Sequence, residues 1–81
     1  MYIEARKDNL MVHLRNRSSI TYMTMKAMEE LLPVSQFIRV HRSYIIAKDK
    51  IVAVAPLFVE IKETQIPIGK KFKETVFRNF P

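Results

Sequence analysis

The chain has 81 residues, with 14 Lys and Arg against 8 Asp and Glu and a formal net charge of +6. That length holds one small domain, and 48% hydrophobic with 27% charged residues describes a packed globule and argues against disorder. The absence of cysteine removes disulfide frameworks, Cys-ligated zinc, iron–sulfur sites and thiol nucleophiles; no run of about 20 apolar residues is present, and Glu4, Arg6, Lys7 and Asp8 break any signal-peptide pattern.

With one glycine and four prolines, the chain is expected to have compact turns and few long loops. Tyr2-Ile3-Glu4-Ala5 reads as the end of a strand, and Arg6-Lys7-Asp8-Asn9 as a turn. Leu10 to Leu14 predicts a strand, Arg15 to Ser18 a hairpin turn, and Ser19 to Met23 the returning strand. Thr24 has the hydroxyl of an N-cap for a helix over 25–32. Met25, Met28, Leu31 and Leu32 share its apolar face, Lys26, Glu29 and Glu30 occupy the other, and Pro33 ends it. So short a helix must be held by tertiary packing.

The segment from Phe37 to Ile46 is apolar at both ends, while Arg39 to Ser43 is polar except for Val40, so it presents basic groups between two anchors. Lys48-Asp49-Lys50 is a turn. Ile51 to Ala55 predicts a strand, Pro56 a break, and Phe58 to Lys62 the hairpin partner. Glu63-Thr64 turns again, and Gln65 to Ile68 is a last strand that Pro67 places at a sheet edge. After Gly69, the apolar stripe Phe72, Val76, Phe77 and Phe80 predicts a short C-terminal helix carrying Lys70, Lys71, Lys73 and Arg78. The sum is a mostly β domain with antiparallel pairing, one central helix and one terminal helix.

Catalysis has no constellation behind it. His13 and His41 show no metal-ligand spacing, Ser43 near His41 lacks a nucleophile elbow, one glycine cannot form a phosphate loop, and Glu29-Glu30 sit on an outer helix face. His13, alternating with Val12 and Leu14, reads as a half-exposed structural histidine. The basic residues fall into three groups: Arg39, His41 and Arg42 with Lys48 and Lys50 close behind; Lys70, Lys71 and Lys73; and Arg6, Lys7 and Asn9. These residue types grip phosphate and read base edges, although for any one such run alone a solvated face is the commoner reading. Tyr22, Phe37, Tyr44, Phe58, Phe72, Phe77 and Phe80 fall in the core by pattern, and Tyr2 outside it. Without an aromatic stacking platform, the positive charge favours duplex over single-stranded nucleic acid.

Three blocks then stand in a recognisable order: Tyr2-Ile3-Glu4-Ala5; Phe37-Ile38-Arg39-Val40-His41-Arg42-Ser43-Tyr44-Ile45-Ile46 followed by Ile51; and Ile66-Pro67-Ile68-Gly69-Lys70. Together they resemble the LytTR-type DNA-binding domain, the output module of many bacterial response regulators. The resemblance implies short antiparallel sheets in series, no cofactor, no enzymatic activity and a cytoplasmic protein without a membrane anchor. It also implies loops inserted into successive major grooves of promoter DNA, with dimers on direct repeats. The family's contact positions carry over to Lys7, Asp8 and Asn9, to His41, Arg42 and Ser43, and to Gly69, Lys70 and Lys71. Arg39, in the basic group read from charge, completes the candidate set. Lys70 stands where the family commonly has Arg, so the bidentate fork is missing there, and Ala47 stands where it often has Asn. The family usually has a further strand before the Tyr2 block, so residues 1–81 are expected to be one domain lacking its first strand and an upstream receiver or sensor domain. The other reading of the same chain is a protein-interaction or dimerisation module, its charge serving solubility and an exposed sheet edge serving as the contact.

Overall fold

The computed structural model of the chain describes residues 1–62 and 64–80; the expected turn residue Glu63 lies outside them. The strands are β1 (Tyr2–Ala5), β2 (Leu10–His13), β3 (Ser18–Thr21), β4 (Phe37–His41), β5 (Tyr44–Ala47), β6 (Ile51–Val54), β7 (Phe58–Ile61) and β8 (Thr64–Pro67). The helices are α1 (Met25–Leu31) and α2 (Lys73–Asn79), with single 3-10 turns at Lys48–Lys50 and Lys70–Phe72. A five-stranded sheet has the order β3-β2-β1-β5-β4, and a three-stranded sheet the order β6-β7-β8. All the strand pairs are antiparallel.

The polar interruption from Arg39 to Ser43 is a tight hairpin. β4 and β5 pair from Phe37↔Ala47 to His41↔Tyr44, with Arg42 and Ser43 between them and a register irregularity between Arg39 and His41. Ile38 and Val40 point into the core while Arg39 and His41 point away from it, the period-2 alternation of a half-buried strand. β1 is an inner strand, paired with β2 on one side and β5 on the other, so the free edges of its sheet are β3 and β4.

The five-stranded sheet is a wall between two cores. On one face Ile3, Leu10 and Ile45 pack with Met25 and Met28 of α1. On the other, Ile38, Val40 and Ile46 pack with Val59, Ile61, Ile66 and Ile68 of the second sheet and its exit, and with Val76 of α2. The cap of α1 forms as the sequence predicts, the Ala27 N–H donating to Thr24 Oγ1 at 3.0 Å. Pro67 lies on β8, an edge strand.

Three apolar residues depart from the expected core. Leu31 is 70% exposed as the last residue of the helix, while Leu32, the extended C-cap, packs against the core under α1. Tyr22 is 79% exposed. It directly follows β3, an edge strand of the five-stranded sheet. Phe77 is also exposed, since Val76 is the residue of α2 that faces the core. Tyr2, expected outside, is half-buried and stacked on His13 with ring centroids 4.3 Å apart.

Gly69 joins the two sheets. Its N–H donates to Val40 O at 2.7 Å. Its φ is an ordinary −69°, so the need for glycine is space: an added Cβ would lie 3.0 Å from Phe72 Cδ2 and 3.3 Å from His41 Cα. Gly69→Val is therefore expected to destabilise the domain by about 1–3 kcal/mol through overpacking. Ile46→Ala, at a fully buried position, is expected to cost about 2–5 kcal/mol. Ile20→Ala, on exposed β3, should stay within about 0.5 kcal/mol of the parent. Urea unfolding of the three variants checks all three values.

Candidate nucleic-acid interface

Three chain segments meet at one end of the strands. β1 turns into β2 through residues 6–9, and the Arg6 N–H donating to Asn9 O at 2.8 Å closes that turn. β4 turns into β5 through Arg42 and Ser43, and the Ala5 N–H donates to Ser43 O at 2.8 Å, which ties the first turn to the second. The Gly69–Val40 bond ties the segment after β8 to the other side of the same hairpin. Adjacent strands lie about 4.8 Å apart, so the row from residues 6–9 to residue 69 is roughly 15 Å long.

Lys7, Asp8, Arg42, Lys70 and Lys71 are exposed on this row, as is Arg6. Asp8 is the one acid among them, so the row is strongly positive, and an exposed cationic strip attracts a polyanion. The Arg6–Glu4 approach, 3.5 Å and exposed, is too weak to neutralise it.

The half-buried members have defined contacts. His41 Nδ1 accepts the Ser43 N–H at 3.0 Å, which in the neutral ring leaves the proton on Nε2 as a donor. The His41 ring packs edge-on against Tyr44 at 5.5 Å. Asn9 Oδ1 is buried without a hydrogen-bond partner, so Nδ2 is the group Asn9 has to offer outward. Gly69 supplies close approach, and the exposed Lys70 and Lys71 follow it in the 3-10 turn.

Arg39 lies beneath the hairpin turn, its side chain 19% exposed. Nε donates to His41 O at 3.3 Å, Nη2 to Arg42 O at 2.8 Å, and Nη1 to Glu29 Oε1 of α1 at 3.0 Å. The guanidinium carbon is 5.4 Å from the centre of the Phe72 ring. Sequence reasoning places Glu29 on an outer helix face, and it is exposed; its contact with Arg39 crosses from α1 to β4, which no local pattern reports.

Lys48 and Lys50, close to Arg42 in sequence, are not close to it in space. β5 carries the chain to the opposite end of the sheet, where the Lys48 N–H donates to Gln36 O just before β4, and Lys48 Nζ reaches Asn79 Oδ1 at 3.3 Å. The β2–β3 turn brings Arg15 and Arg17 to that same far end. Next to that turn, His13 bonds Glu4 Oε1 at 2.9 Å and Ser18 Oγ at 3.1 Å, which gives it a structural role. Burial, and secondarily the charge of Glu4, pushes the Tyr2 hydroxyl above its ordinary value. Among the described residues no three His, Asp or Glu side chains converge as metal ligands, and no helix is long and apolar enough to cross a membrane.

The family model of the LytTr DNA-binding domain matches residues 1–80. Comparison with curated proteins returned no match. Among solved structures, one described as the LytTr DNA-binding domain of a response regulator from Bacillus cereus superposes with a TM-score of 0.86 at 26% identity, covering 98% of this chain and 77% of that one. The order of the sheets, the basic hairpin and a match over nearly the whole sequence agree, and the chain belongs to the LytTR DNA-binding domain family.

Proposed function

We propose that this chain is the output domain of a bacterial two-component transcription regulator and binds promoter DNA sequence-specifically through the row of three turns. The observation that carries the proposal is the convergence of residues 6–9, 41–43 and 69–71, held by the Ala5–Ser43 and Gly69–Val40 backbone hydrogen bonds at their borders. Arg42, exposed at the tip of a two-residue turn, enters the major groove and reads a base edge, most naturally the O6 and N7 of guanine. His41, through Nε2–H, and Ser43 hold phosphate beside it. Asn9 and Lys70 read on either side, while Lys7 and Lys71 neutralise backbone charge and Asp8 opposes misplaced phosphate. Gly69 lets the last segment approach the hairpin.

The longest dimension of the domain is 33 Å, close to the roughly 34 Å of one duplex turn. Two copies side by side therefore suit direct repeats on one face of the duplex, which supports a dimer on DNA. An upstream receiver or sensor domain would supply the control.

Fluorescence anisotropy with labelled duplexes tests this. For roughly six neutralised phosphates, log K should fall against log salt with a slope near −5. Arg42→Ala should cost about 1–3 kcal/mol on the preferred sequence and relax choice at one base pair. Lys71→Ala should weaken all sequences alike and flatten the slope by about 0.9. Arg15→Ala with Arg17→Ala, at the far end, should leave sequence preference intact. A folded domain that binds no duplex at low salt would move the weight to the protein-interaction reading.

A further inference from the structure

We infer that Arg39, braced by Glu29, is a positioning residue that sets the shape of the His41–Arg42–Ser43 turn and is not itself a DNA contact. This rests on the DNA-binding reading above and adds a role for a side chain that charge alone would count among the phosphate ligands.

The argument starts from backbone accounting. The β4–β5 ladder shifts register between Arg39 and His41, and the carbonyls of His41 and Arg42 lie at the turn. Arg42 lies outside the ladder, so its carbonyl needs another donor, while His41, the last paired residue, has a second carbonyl lone pair to offer. Arg39 supplies both bonds from one rigid plane, Nε to His41 O and Nη2 to Arg42 O. Two donors fixed in one guanidinium hold the two peptide groups in a defined relation, which a single flexible ammonium cannot do.

The plane is then held from outside. Glu29 Oε1 accepts from Nη1 at 3.0 Å, and the Phe72 ring lies 5.4 Å from the guanidinium carbon, within cation–π range. Phe72 directly follows Lys70 and Lys71, so the same group touches two of the three turns. Three of the five guanidinium N–H donors are used, one on each nitrogen, the side chain is mostly buried, and Glu29 neutralises its charge. Little remains for a phosphate.

Two variants separate positioning from contact. Arg39→Lys keeps the charge and loses the fork. Glu29→Gln alters an exposed helix residue on the clamp and raises the net charge by one. The preferred and a random duplex are titrated across salt, with thermal melting and amide NMR on the same samples. Expected for both variants is a folded domain whose preferred-to-random affinity ratio falls, on the order of tenfold for Arg39→Lys given two charge-assisted bonds lost. The salt slope on random duplex stays unchanged for Arg39→Lys, and amide shifts centre on residues 41–43. A folded Arg39→Lys variant with an unchanged ratio and unshifted turn amides would overturn the inference. So would Glu29→Gln binding that tightens equally on both duplexes with the ratio intact, since Arg39 would then be acting as a charge toward DNA. Should the unsubstituted domain prefer no duplex, the DNA-binding reading fails first, and the turn amides of the two variants still decide whether the clamp exists.

Discussion

Ile45 and Ile46 are neighbours on one strand, point to opposite faces of the sheet, and are both buried. Ile45 closes the core under α1, and Ile46 closes the core against the second sheet. A strand that must satisfy two cores at once has no freedom of register, because a slip of one residue would exchange its two faces. β5 begins one residue after Ser43. The basic turn is thus fixed by apolar packing just behind it. A tip held in this way has little conformational freedom left to lose.

The same wall also decides which parts of the chain are free to project from the fold. α1 has seven residues and buries Met25 and Met28 against one side of the sheet. α2 also has seven and buries Val76 against the other side's core. Helices this short depend on tertiary packing for their existence, so neither can be lifted off to enter a groove without losing what holds it. The hairpin tips at the strand ends are what the fold has left to present.

Features decided by local chemistry were legible in the sequence. Thr24 caps α1 because its hydroxyl reaches an amide three residues on. Pro33 lies beyond its end, and Pro67 lies on an edge strand. Features decided by pairing across the chain were not. Arg39, Val40 and His41 alternate as a strand should, but the shift between Arg39 and His41 blurs the pattern just where the turn begins. Lys48 and Lys50 look like continuations of the Arg42 group until β5 carries them to the far end. Tyr22 and Phe77 have core-type side chains and no covering neighbour, and coverage is a property of the layers rather than of the residue. Of the candidate interface, residue types and positions were readable. What was not is that the turns touch, or that Arg39 faces inward to Glu29.

Those contacts change how the charges should be counted. A net charge of +6 spread evenly would give a diffuse field. Here strand direction sorts the cations to two ends, and Arg39 is withdrawn beneath one of them, paired with Glu29. The exposed charges near Arg42 come from three segments whose backbones are hydrogen-bonded to one another. Residues that share such bonds do not contribute independently, because moving one turn displaces the next. The row is better regarded as a single rigid element with several charged tips than as separate contacts. The spacing between those tips is then set by the backbone bonds that join the segments.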